Sequence, residues 1–96
     1  MHLLVTYDVN TQTKEGERRL RKVAKICEGY GQRVQDSVFE CSIGETDREM
    51  FRQRLLKAID LQADSLRIYR LSSNREDVVE VYGRDLYRDF SAPLII

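Results

Sequence analysis

Between Leu3 and Leu71 the chain switches back and forth between strand-like and helix-like patterning, and few folds accommodate that order. Leu3-Leu4-Val5-Thr6-Tyr7-Asp8-Val9 is rich in β-branched and aromatic residues and reads as a mostly buried strand. Asn10-Thr11-Gln12-Thr13 is a polar turn, with Thr13 placed to cap a helix. From Glu15 to Glu28, Leu20, Val23, Ala24 and Cys27 recur at helical spacing, with Arg18, Arg21, Lys22 and Lys25 on the other side. Gly29-Tyr30-Gly31 ends that helix. Arg33 to Ile43 reads as a short strand, a kink near Asp36 and a longer strand through Phe39.

Thr46-Asp47-Arg48-Glu49 has the capping-box form and opens a second helix with the apolar stripe Phe51, Leu55, Ala58 and Ile59. Ser65 to Leu71 reads as a strand, Ser72-Ser73-Asn74 as a turn, and Val78 to Tyr82 as a shorter strand. The expected order is strand, helix, strand, strand, helix, strand, with an extra C-terminal strand. This is the α+β ferredoxin-like βαββαβ sandwich, an antiparallel sheet with two helices on one face. All 96 residues form a single domain, with 90–96 an extended apolar tail because Pro93 opposes helix there. The sheet's second face is left open, a natural place for a second copy, so a homodimer is expected.

No apolar run approaches a membrane span, and the start lacks the basic residues and long apolar stretch of a signal peptide, so a cytoplasmic protein without membrane contact is expected. Cys27 and Cys41 stand outside any CxxC or Cys/His spacing and are expected to be reduced and buried. Net charge is zero, yet Lys14 to Arg33 holds seven basic residues against three acidic, while Glu40 to Asp64 holds four against six. The basic excess is therefore a local patch and not a general polyanion-binding surface.

Three features could carry chemistry. Asp8 ends an apolar strand where a loop opens; it could hold a hard cation through one oxygen and waters, or cap the Asn10–Thr13 turn with its own side chain. The basic face of the first helix could neutralise phosphates, or could be the solvated face of an ordinary surface helix. Arg33, Gln35 and Ser37 would alternate on one face with Phe39 and Cys41; these donors beside an aromatic could meet a nucleic-acid backbone, or Phe39 could be plain core or dimer packing. His2 is the only histidine, which excludes a histidine cluster within one chain, and no phosphate-binding Gly loop or RRM-type aromatic signature is present.

Several runs resemble the CRISPR-associated protein two family. They are Val5-Thr6-Tyr7-Asp8-Val9, Arg19-Leu20-Arg21-Lys22-Val23-Ala24-Lys25, Tyr30 through Cys41, Asp64 through Leu71, and Pro93-Leu94-Ile95. The pattern looks most like the branch that accompanies type I-C systems. The resemblance implies a homodimer whose two Asp8 carboxylates approach across the interface and bind Mg²⁺ or Mn²⁺. It also implies a metal-dependent endonuclease acting on double-stranded DNA or RNA beside the CRISPR integrase during spacer acquisition. By position Asp8 takes the catalytic and metal role. Tyr7, Arg33, Ser37 and Phe39 fall where the family's strand residues near that site lie, and Arg19 and Arg21 fall in its basic helix motif. Lys25 joins them as a nucleic-acid contact, whereas Asp36 stands where the family usually has a less acidic residue. Two other readings differ in class: a non-catalytic DNA-binding scaffold bridging integrase dimers, and a regulatory ferredoxin-like module, which would need a ligand pocket that nothing here suggests.

Overall fold

The computed structural model describes residues 1–88. The expected tail over 90–96, and with it the family-like Pro93-Leu94-Ile95 run, lies outside them. Four strands form one sheet in the order β2-β3-β1-β4, where β1 is His2–Asp8, β2 Gly31–Gln35, β3 Val38–Ser42 and β4 Ser65–Leu71. Every neighbouring pair is antiparallel. Two helices, α1 (Lys14–Glu28) and α2 (Glu45–Ala58), connect them, which gives the expected βαββαβ order and strand arrangement.

Alternation along β1 decides the layers. Leu3, Val5 and Tyr7 are buried, and Cys41 and Phe39 on β3, the register partners of Leu3 and Val5, are buried with them. Val23, Ala24 and Cys27 of α1 and Phe51, Leu55 and Ala58 of α2 complete the same core. Both expected helix stripes are therefore borne out, with Leu20 and Ile59 at the margin. Cys27 and Cys41 are fully buried free thiols, and their mutual hydrogen bond, with burial added, pushes Cys27 up from its ordinary pKa. The β2–β3 pair comes so close that a methyl group at Gly31 would overlap the Glu40 carbonyl and Cys41.

Local signals fared unequally. Thr13 caps α1 as expected, its Oγ1 accepting from the Gly16 amide at 3.0 Å. The capping box at Thr46 does not form: α2 begins two residues earlier than that cap would place it, Gly44 is its N-cap, and Glu49 instead pairs with Arg52 and Gln53. Side-chain donors three and four residues on outcompete the Thr46 amide for that carboxylate. The expected alternation of Arg33, Gln35 and Ser37 is broken by a bulge. Arg33 faces Phe39 and Gln35 faces Val38, which are consecutive residues on opposite faces of β3, and Ser37 lies in the turn.

The strand expected over Val78–Tyr82 is also absent. A four-residue helix, α3 (Arg75–Val78), takes its place, and Gly83 then turns the backbone through φ +84°. The cause is Glu40, only 5% exposed although it lies on the open face of the sheet. Arg75 donates to both its oxygens at 2.6 and 3.2 Å, and the His2 ring approaches at 3.1 Å. Arg75 also reaches Asp85 and covers the Tyr87 ring at 3.8 Å, so the segment is drawn across the sheet instead of along its edge. It borders an open cleft of about 600 Å³ against Leu4, Thr6 and Val38, with Val81, Tyr82 and Leu86 exposed on it.

Removing the arginine from this pair leaves a buried carboxylate with only the His2 ring beside it. Arg75→Met should therefore lower unfolding free energy by about 3 to 5 kcal/mol in urea titrations. Adding Glu40→Gln should restore much of it; a double variant no more stable than the single would show that Glu40 is not the group stranded.

Candidate nuclease site

Asp8 is the last residue of β1, paired with Ser65 at the start of β4, and it is exposed. The loop after it is closed by other groups. Asn10 Oδ1 accepts from the Gln12 amide at 2.9 Å, and Asp64 Oδ1 accepts from the Asn10 amide at 3.0 Å. The turn-capping role open to Asp8 therefore belongs to Asn10 and Asp64. Among the described residues no hydrogen bond or ion pair engages the Asp8 carboxylate.

Asp64 is the opposite case. Its side chain has no exposed surface and accepts from Arg19 Nε at 2.8 Å, from Arg19 Nη2 at 3.3 Å, and from the amides of Asn10 and Asp60. These bonds, Arg19 first, hold its carboxyl down to about 2. Gly16 makes the arrangement possible, because a methyl group there would overlap the Asn10 carbonyl where the first turn of α1 meets the loop.

Two shallow clefts flank Asp8. One, of about 490 Å³, is lined by the Asn10–Gln12 loop and Gln62–Ser65; the other, of about 300 Å³, is lined by Thr6, Tyr7, Ser65, Arg67 and Tyr69. In the second, Arg67 donates to the Tyr69 hydroxyl at 3.2 Å and is otherwise available to an anion. Among the described residues no three His, Cys, Asp or Glu side chains group as a metal cage. Magnesium commonly keeps most of its waters and takes one or two carboxylates plus substrate phosphates. The exposed, unbonded Asp8 fits that requirement as one ligand per chain.

A sequence profile described as CRISPR associated protein Cas2 matches residues 1–79. The chain belongs to the Cas2 family. It is 52% identical over 96 residues to the CRISPR-associated endoribonuclease Cas2 1 of Moorella thermoacetica, covering all of both chains. It is 50% identical over 95 residues to the CRISPR-associated endonuclease Cas2 of Halalkalibacterium halodurans, covering 99% of each. The crystal structure of Streptococcus pyogenes Cas2 superposes with a TM-score of 0.77 at 52% identity, over 86% of this chain and all of that one. A Thermus thermophilus protein, TT1823, gives 0.71 at 38% identity, over 88% and 92%. The expected family and fold are thus shown.

The residues expected around a Cas2 site are placed in three groups. Tyr7, Arg33, Ser37 and Phe39 do come together: the Tyr7 amide donates to the Ser37 carbonyl at 3.1 Å, Tyr7 stacks on Phe39 at 6.2 Å, and Arg33 lies 5.1 Å above the Phe39 ring. Phe39 has no exposed surface and Tyr7 is 5% exposed, so both belong to the core, whereas Arg33 is exposed and Ser37 half-buried. The Tyr7 hydroxyl is buried without a hydrogen-bond partner among the described residues, and burial raises its pKa, so it stays protonated. Arg19 is committed to Asp64, which makes it a brace for the Asp8 loop. Arg21 and Lys25 stand exposed on α1. Sequence reasoning missed Asp64 as a brace, and Arg67 beside Asp8. An Asp directly preceding a strand carries no signal that its partner lies 45 residues back.

Asp64 sets a pH dependence. Its unfolded carboxyl titrates near 3.8 and its folded one near 2, so on acidification the unfolded chain binds the proton first. The stabilisation is complete above about pH 5 and is lost as pH falls toward 2. Asp64→Asn should cost about 2 to 4 kcal/mol at neutral pH and flatten this acid limb in denaturation curves. An unchanged acid limb would assign it to other carboxyls.

Proposed function

We propose that this Cas2-family chain is a metal-dependent endonuclease of CRISPR adaptation, acting on double-stranded DNA or RNA as a homodimer in the cytoplasm beside the CRISPR integrase. The observation that carries the reading is the Asp8 carboxylate, left exposed and unbonded while the polar groups that close its loop are paired with one another. The names of the relatives, endoribonuclease for one and endonuclease for another, support nuclease chemistry. Large side chains exposed on β4 and on the segment that crosses the sheet, Tyr69, Val78, Val81 and Tyr82, support pairing of two copies.

Two Asp8 side chains brought together would repel, and a shared Mg²⁺ or Mn²⁺ relieves that repulsion. When bound, the cation supplies polarisation of a phosphoryl oxygen and a lowered pKa for an attacking water. Asp8 positions that charge at the rim of the sheet. Arg67, steadied by Tyr69, stands in the same cleft and could hold a phosphate oxygen beside it.

A scaffold without chemistry is the second reading. It is favoured by the poverty of proton acceptors among the described residues: Asp8 is the unpaired carboxylate at the site, Asp64 is held by Arg19, and the His2 ring is occupied by Glu40 at the other end of β1.

Asp8→Asn separates the two. With labelled duplex DNA and RNA, with and without Mg²⁺, the variant should lose metal-dependent cleavage, keep duplex binding, and remain a dimer by light scattering at micromolar concentration. Cleavage equal to the parent's would leave the scaffold reading as the better one.

A further inference from the structure

Away from Asp8, on the helix layer, α1 and α2 enclose a groove of about 710 Å³. Lys22 and Lys25 line it from α1, Arg54 and Lys57 from α2, and Ile26 and Tyr30 form its apolar wall. No acidic side chain lines it. The nearby Glu28 is drawn away to Arg33 at 3.7 Å, and Glu49 is held by Arg52 at 2.6 Å. None of the four cations carries an ion pair among the described residues; Arg54 makes one hydrogen bond, to the Tyr30 hydroxyl at 3.4 Å.

Four uncompensated charges around one concavity on a protein of zero net charge mark a site for a polyanion. We propose that this groove is a second nucleic-acid contact, which grips the phosphodiester backbone of a duplex on the helix layer, apart from Asp8 at the rim of the sheet. This rests on the nucleic-acid reading of the protein and extends it to a surface on the other layer. The occupant is a duplex backbone because the aromatic side chain in the wall cannot act as a stacking platform. The Tyr30 ring is half-buried, tilted onto Phe51 at 4.7 Å and packed against the core. Single strands are held without sequence preference by bases stacked on exposed rings, whereas phosphates need only cations. Cations three apart on one helix are neighbours on its surface, so each helix offers a two-cation rail, one on either side of the groove.

The test compares the full-length protein with two triple variants of equal charge. Lys22→Gln/Lys25→Gln/Lys57→Gln empties the groove; Lys14→Gln/Arg48→Gln/Arg70→Gln removes three cations that lie outside it. Thermal melts show that both are folded. Binding of two unrelated labelled duplexes is followed by anisotropy across a salt series. Each phosphate contact contributes about 0.9 to the slope of log affinity against log salt. The groove variant should therefore lose about 2 to 3 from the slope's magnitude, and about tenfold or more in affinity near 0.1 M salt, equally for both duplexes. The control variant should stay close to the parent. A groove variant that matches the parent, or a control that weakens as much, overturns the groove while leaving the nuclease reading to the Asp8→Asn cleavage test. A parent that binds no duplex even at low salt overturns both.

Discussion

One buried carboxylate organises the end of the molecule where the chemistry would take place. Asp64 joins α1 through Arg19, the loop after β1 through the Asn10 amide, and the end of α2 through the Asp60 amide. A buried charge is tolerable only when its lone pairs are filled and its sign is balanced, and here four hydrogen bonds, two of them from a cation, do both. The three segments cannot shift independently without stranding that charge. The path of the chain from β1 into α1 and from α2 into β4 is thereby set by a side chain that takes no part in any reaction.

The consequence for Asp8 is electrostatic as well as geometric. Asp8 pairs with Ser65, so Asp64 sits close by in the same corner. Two uncompensated carboxylates there would raise each other's pKa and compete for any cation. Arg19 neutralises Asp64 and withdraws it from the surface, which leaves Asp8 as the acid of the corner open to a metal or phosphate-bound ion. The basic motif on α1 thus divides its work. Arg19 serves the fold, and Arg21 and Lys25 remain on the surface.

Composition and helical period made the layers readable: the β-branched and aromatic run Leu3–Val9 and the stripes of α1 and α2 needed only burial of apolar side chains, and the structure buries them, with alternate residues of β1 facing the core. Asp8 was readable too, as an acid at the mouth of an apolar strand. What could not be read were the ion pairs. Glu40 looks like an outward-facing strand residue until Arg75 covers it, and that pair converts an expected strand at Val78–Tyr82 into a short helix and a crossing segment. The hairpin face failed for a related reason, since a one-residue bulge at β2 reverses alternation without any Gly or Pro to announce it. Long-range charge pairing and single-residue register shifts leave no local pattern.

Charge pairing also explains how a chain with no net charge can present one. Several of its acids are already matched within the fold: Asp64 by Arg19, Glu40 by Arg75 and His2, Glu49 by Arg52, Glu28 by Arg33. Each acid–arginine pair removes one positive and one negative charge from what an approaching polyanion meets. Some of the cations left over cluster locally. Lys22, Lys25, Arg54 and Lys57 gather between the helices, and Arg67 stands beside Asp8. At ionic strengths where charges beyond about 8 to 10 Å are screened, a polyanion responds to these local clusters and not to the total. The neutral composition that argues against a general nucleic-acid binder is therefore compatible with two confined contact surfaces, one on each layer of the sandwich.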